Sequence, residues 1–185
     1  KAESGAINYR GEDLCRKTIR ENRRMGIAHV PEDRNLNGSA PEMSVRDNLI
    51  AASLDKLSKG TILDRKAIED YCEACVEDFR VKTSSLNISI KSLSGGNIQK
   101  AIVAREFTAG ADIIILNQPT RGVDVGAMEF IHKKILEMRD EKKSLILVSA
   151  DLAELKALSD RIIVFHQGTI AGVLDDVPNT TEEEL

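Results

Sequence analysis

The pattern of hydrophobic and polar positions changes character along the chain. At the start it alternates: Gly5-Ala-Ile-Asn-Tyr-Arg10 reads as a strand followed by a turn at Gly11-Glu-Asp, Lys17–Arg24 as a basic helix, and Gly26–Val30 as a second strand that Pro31 ends. A polar stretch from Glu32 to Glu42 follows, holding Asn35, Asn37, Gly38, Ser39 and Pro41, and its length predicts a binding or hinge loop. Met43–Ser53 then predicts a helix with Ser44 as its cap. Asp64–Phe79 predicts another, capped by Asp64, with Ile68, Tyr71, Cys72, Cys75, Val76 and Phe79 at three- and four-residue spacings on one stripe. After the polar stretch Lys82–Lys91, Leu93-Ser-Gly-Gly opens a third helix that runs to about Thr108. From Asp112 the rhythm becomes strand (Ile113–Leu116), helix (Val125–Arg139), strand (Leu145–Val148), helix (Leu152–Leu158) and strands Ile162–Phe165 and Thr169–Leu174. That alternation predicts a layered α/β core. The chain divides accordingly into a first part of the core, 1–31, a loop and helical subdomain, 32–109, and a second part of the core, 110–185. The Thr180-Thr-Glu-Glu-Glu tail reads as a frayed, solvated end or the first turn of a helix.

Composition narrows the classes. With 42% hydrophobic residues the chain can bury a core, which excludes a disordered segment. Lys and Arg number 26 against 30 Asp and Glu, for a net charge of -4, and no basic block exists to track a phosphate backbone, so no nucleic-acid partner is expected. No Trp, two Tyr and four Phe leave few flat faces on which bases or sugar rings would stack. The three cysteines are an odd number and fit a reducing compartment. Cys72 and Cys75 share the apolar stripe, and with no second Cys pair to complete zinc's four ligands they read as core packing, so no metal ligand set is expected. His29, His132 and His166 have no carboxylate or nucleophile patterned near them and read as packing residues. Apolar runs such as Ile113–Leu116 fall far short of the roughly 20 residues that span a bilayer, so any membrane role is expected through a partner. The start at Lys1 rather than Met, running almost at once into a strand, reads as a piece of something longer.

The strongest local signal is Leu93-Ser94-Gly95-Gly96-Asn97-Ile98-Gln99-Lys100: a hydroxyl and two residues without side chains at a helix start. Unpaired N–H groups and the positive end of the helix dipole suit that place to a phosphate, and glycine lets the backbone come close. Alone, Ser-Gly-Gly is equally well a simple loop-to-helix cap. The order of the downstream segments separates the two readings: the apolar strand Ile113–Leu116, then Asn117-Gln118-Pro119-Thr120-Arg121-Gly122-Val123-Asp124, then after a helix Val148-Ser149-Ala150-Asp151.

This ordered set resembles the ATP-binding cassette (ABC) ATPases, with signature motif, Walker B strand, D-loop aspartate and switch region in sequence, over nearly the whole chain. Pro31-Glu32-Asp33-Arg34, Ser94-Gly-Gly-Asn-x-Gln-Lys100, Pro119-Thr-Arg-Gly-Val-Asp-Val-Gly-Ala127 and Ser159-Asp-Arg-Ile-Ile163 are similar to the second, C-terminal cassette of the tandem ATPases that import simple sugars and nucleosides. The resemblance implies a P-loop NTPase-type α/β core with an inserted helical subdomain, ATP and Mg²⁺ as cofactors of the whole protein, and a peripheral place on the cytoplasmic face of the membrane. It implies as partners an N-terminal cassette on the same polypeptide, transmembrane permease subunits and, indirectly, a solute-binding protein. By the same resemblance Ser94, Gly95, Gly96, Asn97 and Asp124 meet nucleotide held by the other cassette, and the loop Glu32–Glu42 with the helices after it meets the cytoplasmic helices of the permease.

The departures from the family pattern are as informative. No Gly-x-x-x-x-Gly-Lys-[Ser/Thr] phosphate loop occurs in the chain; in the family it lies upstream of the first strand seen here, which makes a truncated cassette the expectation. Where the family carries Asp then Glu after the Walker B strand, this chain has Asn117 and Gln118, amides that hold no negative charge and take no proton. Ala150 stands at the switch histidine that would sense the γ-phosphate, and Glu32, at a cofactor-binding position, where the family's loop glutamine usually contacts the metal and the attacking water. Ile98 occupies a position where a second Gln is common, and Asn97 replaces the more usual Gln. The Asn117-Gln118 pair resembles the nucleoside-importing branch more than the ribose- or galactose-type branch. Two rival readings stay open: a soluble ABC protein acting on ribosomes or DNA, and a non-catalytic regulatory or interaction domain.

Overall fold

In the computed structural model, residues 4–59 and 62–177 are described; the tail expectation at Thr180–Leu185 lies outside them. The first strand expected over residues 5–10 shrinks to a hairpin of two-residue strands, β1 (Asn8–Tyr9) and β2 (Glu12–Asp13), because Arg10 and Gly11 both take positive φ and turn the chain back at once. One 3₁₀ turn (Leu14–Arg16) leads to α1 (Ile19–Arg24). It starts at a capping box, the Thr18 hydroxyl accepting from the Glu21 N–H while the Glu21 carboxylate accepts from the Thr18 N–H. β3 (Ile27–Val30) follows and ends at Pro31.

The polar stretch after β3 is more ordered than a loop. Residues Arg34–Gly38 form one π-helical turn, then α2 (Val45–Ile50) starts at Ser44, whose hydroxyl accepts from the Asp47 N–H. α2 is shorter than the 43–53 pattern predicts: the chain turns out of it at Ala51, which brings buried Ser53 to the Tyr71 hydroxyl at 3.1 Å. A small hairpin, β4 (Ser58–Lys59) with β5 (Ile62–Leu63), precedes α3 (Arg65–Asp78); two-residue strands are too short for periodicity to reveal. Asp64 caps α3 as expected, accepting from the Lys66 and Ala67 N–H groups, and the predicted stripe points inward with Ile68, Cys72 and Cys75 buried.

A 3₁₀ turn at Ile90–Ser92 leads into α4 (Gly95–Thr108), which is buried almost all round. Ile98, Ala101, Ile102, Val103, Ala104 and Phe107 enter the core. Its Glu106, fully buried, accepts from Arg105 Nε at 2.8 Å, Arg23 Nη2 at 3.0 Å and the His29 N–H at 3.4 Å, so its charge is compensated. The last elements are β6 (Ile113–Asn117), α5 (Val125–Asp140), β7 (Ser144–Val148), α6 (Leu152–Leu158), β8 (Ile162–His166) and β9 (Thr169–Leu174).

β3, β6 and β7 form a parallel sheet in the order β3-β6-β7, with Val30 opposite Leu116 and Asn117 opposite Val148. Because all three run the same way, the segments after them, at 31–38, 118–124 and 149–151, leave from one edge of the sheet. Ligands of open parallel sheets gather at that edge. The last two strands depart from the layered pattern expected of them: among the described residues β8 and β9 pair only with each other, about Gln167 and Gly168 at positive φ.

Candidate functional site

Three loops and one helix start meet at that edge. Ser94 caps α4, its hydroxyl accepting from the Asn97 N–H and, at 2.9 Å, from the Asn97 side-chain amide; Asn97 Oδ1 in turn accepts from the Lys82 N–H at 2.9 Å. Asn97 therefore braces the turn from inside. Gly95 and Gly96 occupy the first turn, where N–H groups have no intrahelical acceptor. Both glycines have close neighbours. A Cβ on Gly95 would stand 2.9 Å from Arg34 Nη2, and one on Gly96 2.8 Å from Asp124 Oδ2 and 3.1 Å from the Ala127 Cβ.

Asp124 caps α5, accepting from the Ala127 N–H at 2.9 Å with its other oxygen close to Gly96. The turn 34–38 is fixed by Asp33, whose carboxylate accepts from the Leu36 and Asn35 N–H groups; those bonds hold its pKa below the usual carboxylate range. Glu32 pairs with the Arg121 guanidinium, and Arg34 donates to the Arg121 carbonyl at 2.8 Å and the Gly122 carbonyl at 3.2 Å. Glu32, Asp33, Arg34, Asn35, Arg121 and Gly122 line an open cleft of about 410 Å³.

A neighbouring cleft of about 890 Å³ takes in Glu32, Gln118, Thr120, Ala150 and Asp151. Asn117 ends β6, half-buried, and Gln118 follows in the left-handed region at φ 51, its N–H donating to the Val148 carbonyl at 2.8 Å. Ala150 is exposed between Ser149 and Asp151, the cap of α6, and has no side-chain proton to share. The structure thus brings Glu32, Gln118 and Ala150 to one cleft, and Ser94, Gly95, Gly96, Asn97 and Asp124 to the α4–α5 side of the same edge.

Side chains that the sequence reading left without a role complete the frame. Buried Gln99 donates to the Pro119 carbonyl at 2.8 Å and anchors the segment after β6 to α4. Glu154 of α6, also buried, accepts from the Thr120 hydroxyl at 2.7 Å and lies 2.9 Å from His132 Nε2. This corrects the expectation that no carboxylate stands near His132; the partner is 22 residues away on another helix, where no local pattern reaches. Arg34 was visible only as the end of Pro31-Glu-Asp-Arg.

Cys72 and Cys75 lie in the core. Desolvation pushes the Cys72 thiol up to about 12, with Cys75 adding to it, and desolvation also raises Cys75. Among the described residues no three His, Cys, Asp or Glu side chains gather to hold a metal ion, and no helix is long and apolar enough to cross a membrane.

Comparison with known proteins identifies the family and the fold. The family model described as ABC transporter matches residues 1–121. The nucleoside import ATP-binding protein NupA of Lactococcus lactis is 40% identical across this whole chain, which covers 37% of it. The guanosine import ATP-binding protein NupO of Bacillus subtilis is 37% identical, with 100% of this chain and 36% of that protein covered. The ribose import ATP-binding protein RbsA 1 of Rubrobacter xylanophilus is 37% identical, with 100% and 37% covered. The chain thus spans little more than a third of these relatives. Among solved structures, the dimeric post-hydrolysis state of the ATP-binding cassette MJ0796 bound to ADP and Pi shares the fold, with a TM-score of 0.79 at 19% identity over 96% of this chain and 75% of that one.

Proposed function

The chain belongs to the ABC transporter family, with its α/β P-loop NTPase fold, and from that premise we propose that it is part of the ATP-binding subunit of a nucleoside importer, offering its Ser94-Gly95-Gly96 turn to ATP held by a second cassette. The observation that carries the reading is the contrast between two parts of one edge. The first turn of α4 presents N–H donors and no side-chain bulk, as a phosphate requires, while positions 117, 118 and 150 hold no acid or base.

The donor set does not fit Mg²⁺ in this chain's own cleft. Asn117 and Gln118 are neutral amides, the Glu32 carboxylate is engaged by Arg121 and the Asp151 carboxylate by the N–H groups of Ala153 and Glu154, whereas a hard divalent cation is held by free carboxylates and substrate phosphates. The triphosphate supplies the group to be cleaved; this chain supplies fixed donors for the charge that develops on it, and catalysis of phosphoryl transfer rests largely on such donors. The relatives' length, nearly three times this chain, leaves room for the second cassette on the same polypeptide.

Permease subunits are the partners this reading requires, and the whole subunit sits peripherally on the cytoplasmic face of the membrane. The segment 32–43 carries exposed Leu36 and Met43 on its outer side, apolar contacts of the sort a permease helix would cover. The nucleoside preference rests on the resemblance of the amide pair and on the names of NupA and NupO, while RbsA 1, as similar as NupO, makes a simple sugar the alternative. Reconstitution of the full-length subunit with its permease in proteoliposomes tests it: ATP hydrolysis rises when nucleoside-loaded binding protein is added and not when ribose-loaded protein is. Stimulation by ribose alone would reverse the solute assignment, and hydrolysis indifferent to permease would favour the non-transport reading.

A further inference from the structure

We propose that Arg34 is a positioning residue of the ATP site, holding the first turn of α4 in register with the 121–124 segment. This rests on the α4 turn being the surface that meets ATP. The guanidinium touches both the α4 turn and that segment from the 34–38 turn. Its own backbone opens the π-helical turn that Asp33 caps, and its carbonyl accepts from the Ser39 hydroxyl at 2.7 Å, so the side chain starts from a fixed base. Nη1 donates to the Arg121 carbonyl at 2.8 Å and Nη2 to the Gly122 carbonyl at 3.2 Å. Nη2, Cζ and Nε stand 2.9, 3.3 and 3.4 Å from where a Cβ on Gly95 would be, so the group rests against the helix turn itself. The Glu32–Arg121 ion pair joins the same two segments a second time.

The geometry demands arginine. Two successive carbonyls are met by two separate nitrogens of one planar fork while the same fork lies against a glycine; an ammonium has three donors but they radiate from a single atom, with no flat face to lie along the glycine. The segment between Gln118 and Asp124 is held by Gln99 at Pro119, by Glu154 at Thr120 and by the Arg34 fork at Arg121 and Gly122, the last of which lies in the left-handed region at φ 64. Asp124, two residues on, packs against Gly96. Loss of Arg34 therefore releases the Arg121 and Gly122 carbonyls from the face of the α4 turn and loosens the approach to Asp124, without touching the core.

The test uses the full-length protein. In nucleotide-free protein, Arg34→Ala speeds amide hydrogen exchange across residues 121–127 with the melting temperature unchanged. In hydrolysis assays it lowers kcat by roughly ten- to a hundredfold, the scale of small misplacements of catalytic groups, with KM unchanged. Arg34→Lys restores neither quantity. Unchanged exchange and kcat in Arg34→Ala overturn the proposal. So does a fall in kcat accompanied by a matching rise in KM and a lowered melting temperature, which marks a merely structural role, and so does full activity of Arg34→Lys. Gly95→Asp serves as reference: if it hydrolyses ATP normally, the reading of the α4 turn is what fails, while the exchange measurement still judges Arg34.

Discussion

Glu154 is buried on α6 with one carboxylate oxygen taken up by Thr120 and His132, while the other has no hydrogen-bond partner among the described residues. Removing a donor from so dry a place is costly, because the carboxylate cannot regain water. Thr120→Val is accordingly expected to lower unfolding stability by about 1–3 kcal/mol in urea titrations, and a neutral result would show that water reaches Glu154. The two core cysteines make a second prediction at this scale. With both thiols pushed above their ordinary range by burial, and only thiolate reacting, the folded protein at pH 8 should leave Cys72 and Cys75 unmodified by a thiol reagent such as DTNB, and unfolding should release both. Rapid modification of either in the folded state would contradict their burial. The inward stripe of α3 was legible because i, i+3 and i, i+4 spacing encodes a helix face; the Thr120–Glu154–His132 contact was not, because it joins three elements distant in sequence.

At the scale of elements, local chemistry explains what the sequence revealed. Ser44, Asp64 and Ser94 cap α2, α3 and α4 where the pattern put a cap, since a cap bonds N–H groups two or three residues away. The hairpins β1–β2 and β4–β5 carry no such signal, and the π turn at 34–38 depends on Asp33 accepting two N–H groups at once. α4 draws its stability from burial on all sides: Ile102 is 1% exposed, with its Cδ1 2.8 Å from where a Cβ on Gly38 would stand. Ile102→Ala should cost about 2–5 kcal/mol by chemical denaturation, and a loss below about 1 kcal/mol would mean the helix is not clamped as described. β3 adds a pH dependence. Desolvation lowers the His29 pKa, with Arg23 adding and Glu106 opposing. The unfolded chain then takes up a proton before the folded one does, so this contribution to stability is full above the ordinary histidine value of about 6.5 and declines as pH falls through it. Compared with His29→Gln, the natural protein should lose more stability as pH falls from above that value to below it; parallel curves would remove His29 from the account.

For the whole molecule, the order of motifs was readable from the chain, and the sheet then explains why they meet: three parallel strands discharge their loops at one edge, beside the start of α4. What no pattern revealed was the bracing, in which Arg34, Gln99 and Asp124 hold the loops to α4, because side-chain reach across a sheet edge leaves no periodic trace. The two halves of that edge differ in chemistry. One offers backbone donors that lose nothing for lack of a side chain; the other has amides and an alanine, which carry no charge and accept no proton. The central claim is that this chain serves an ATP site through the α4 turn and not through its own residues 117 and 118. The most direct measurement is steady-state ATP hydrolysis by the full-length protein carrying either Gly95→Asp or Gln118→Ala. Gly95→Asp places negative charge and bulk at the turn and should lower kcat by at least about 10²-fold, the usual effect of losing a fixed donor to transition-state charge, while Gln118→Ala, with no proton acceptor to lose, should stay within a few-fold of the natural protein. Equal damage from the two substitutions would contradict the claim and assign chemistry to the amide side of the edge.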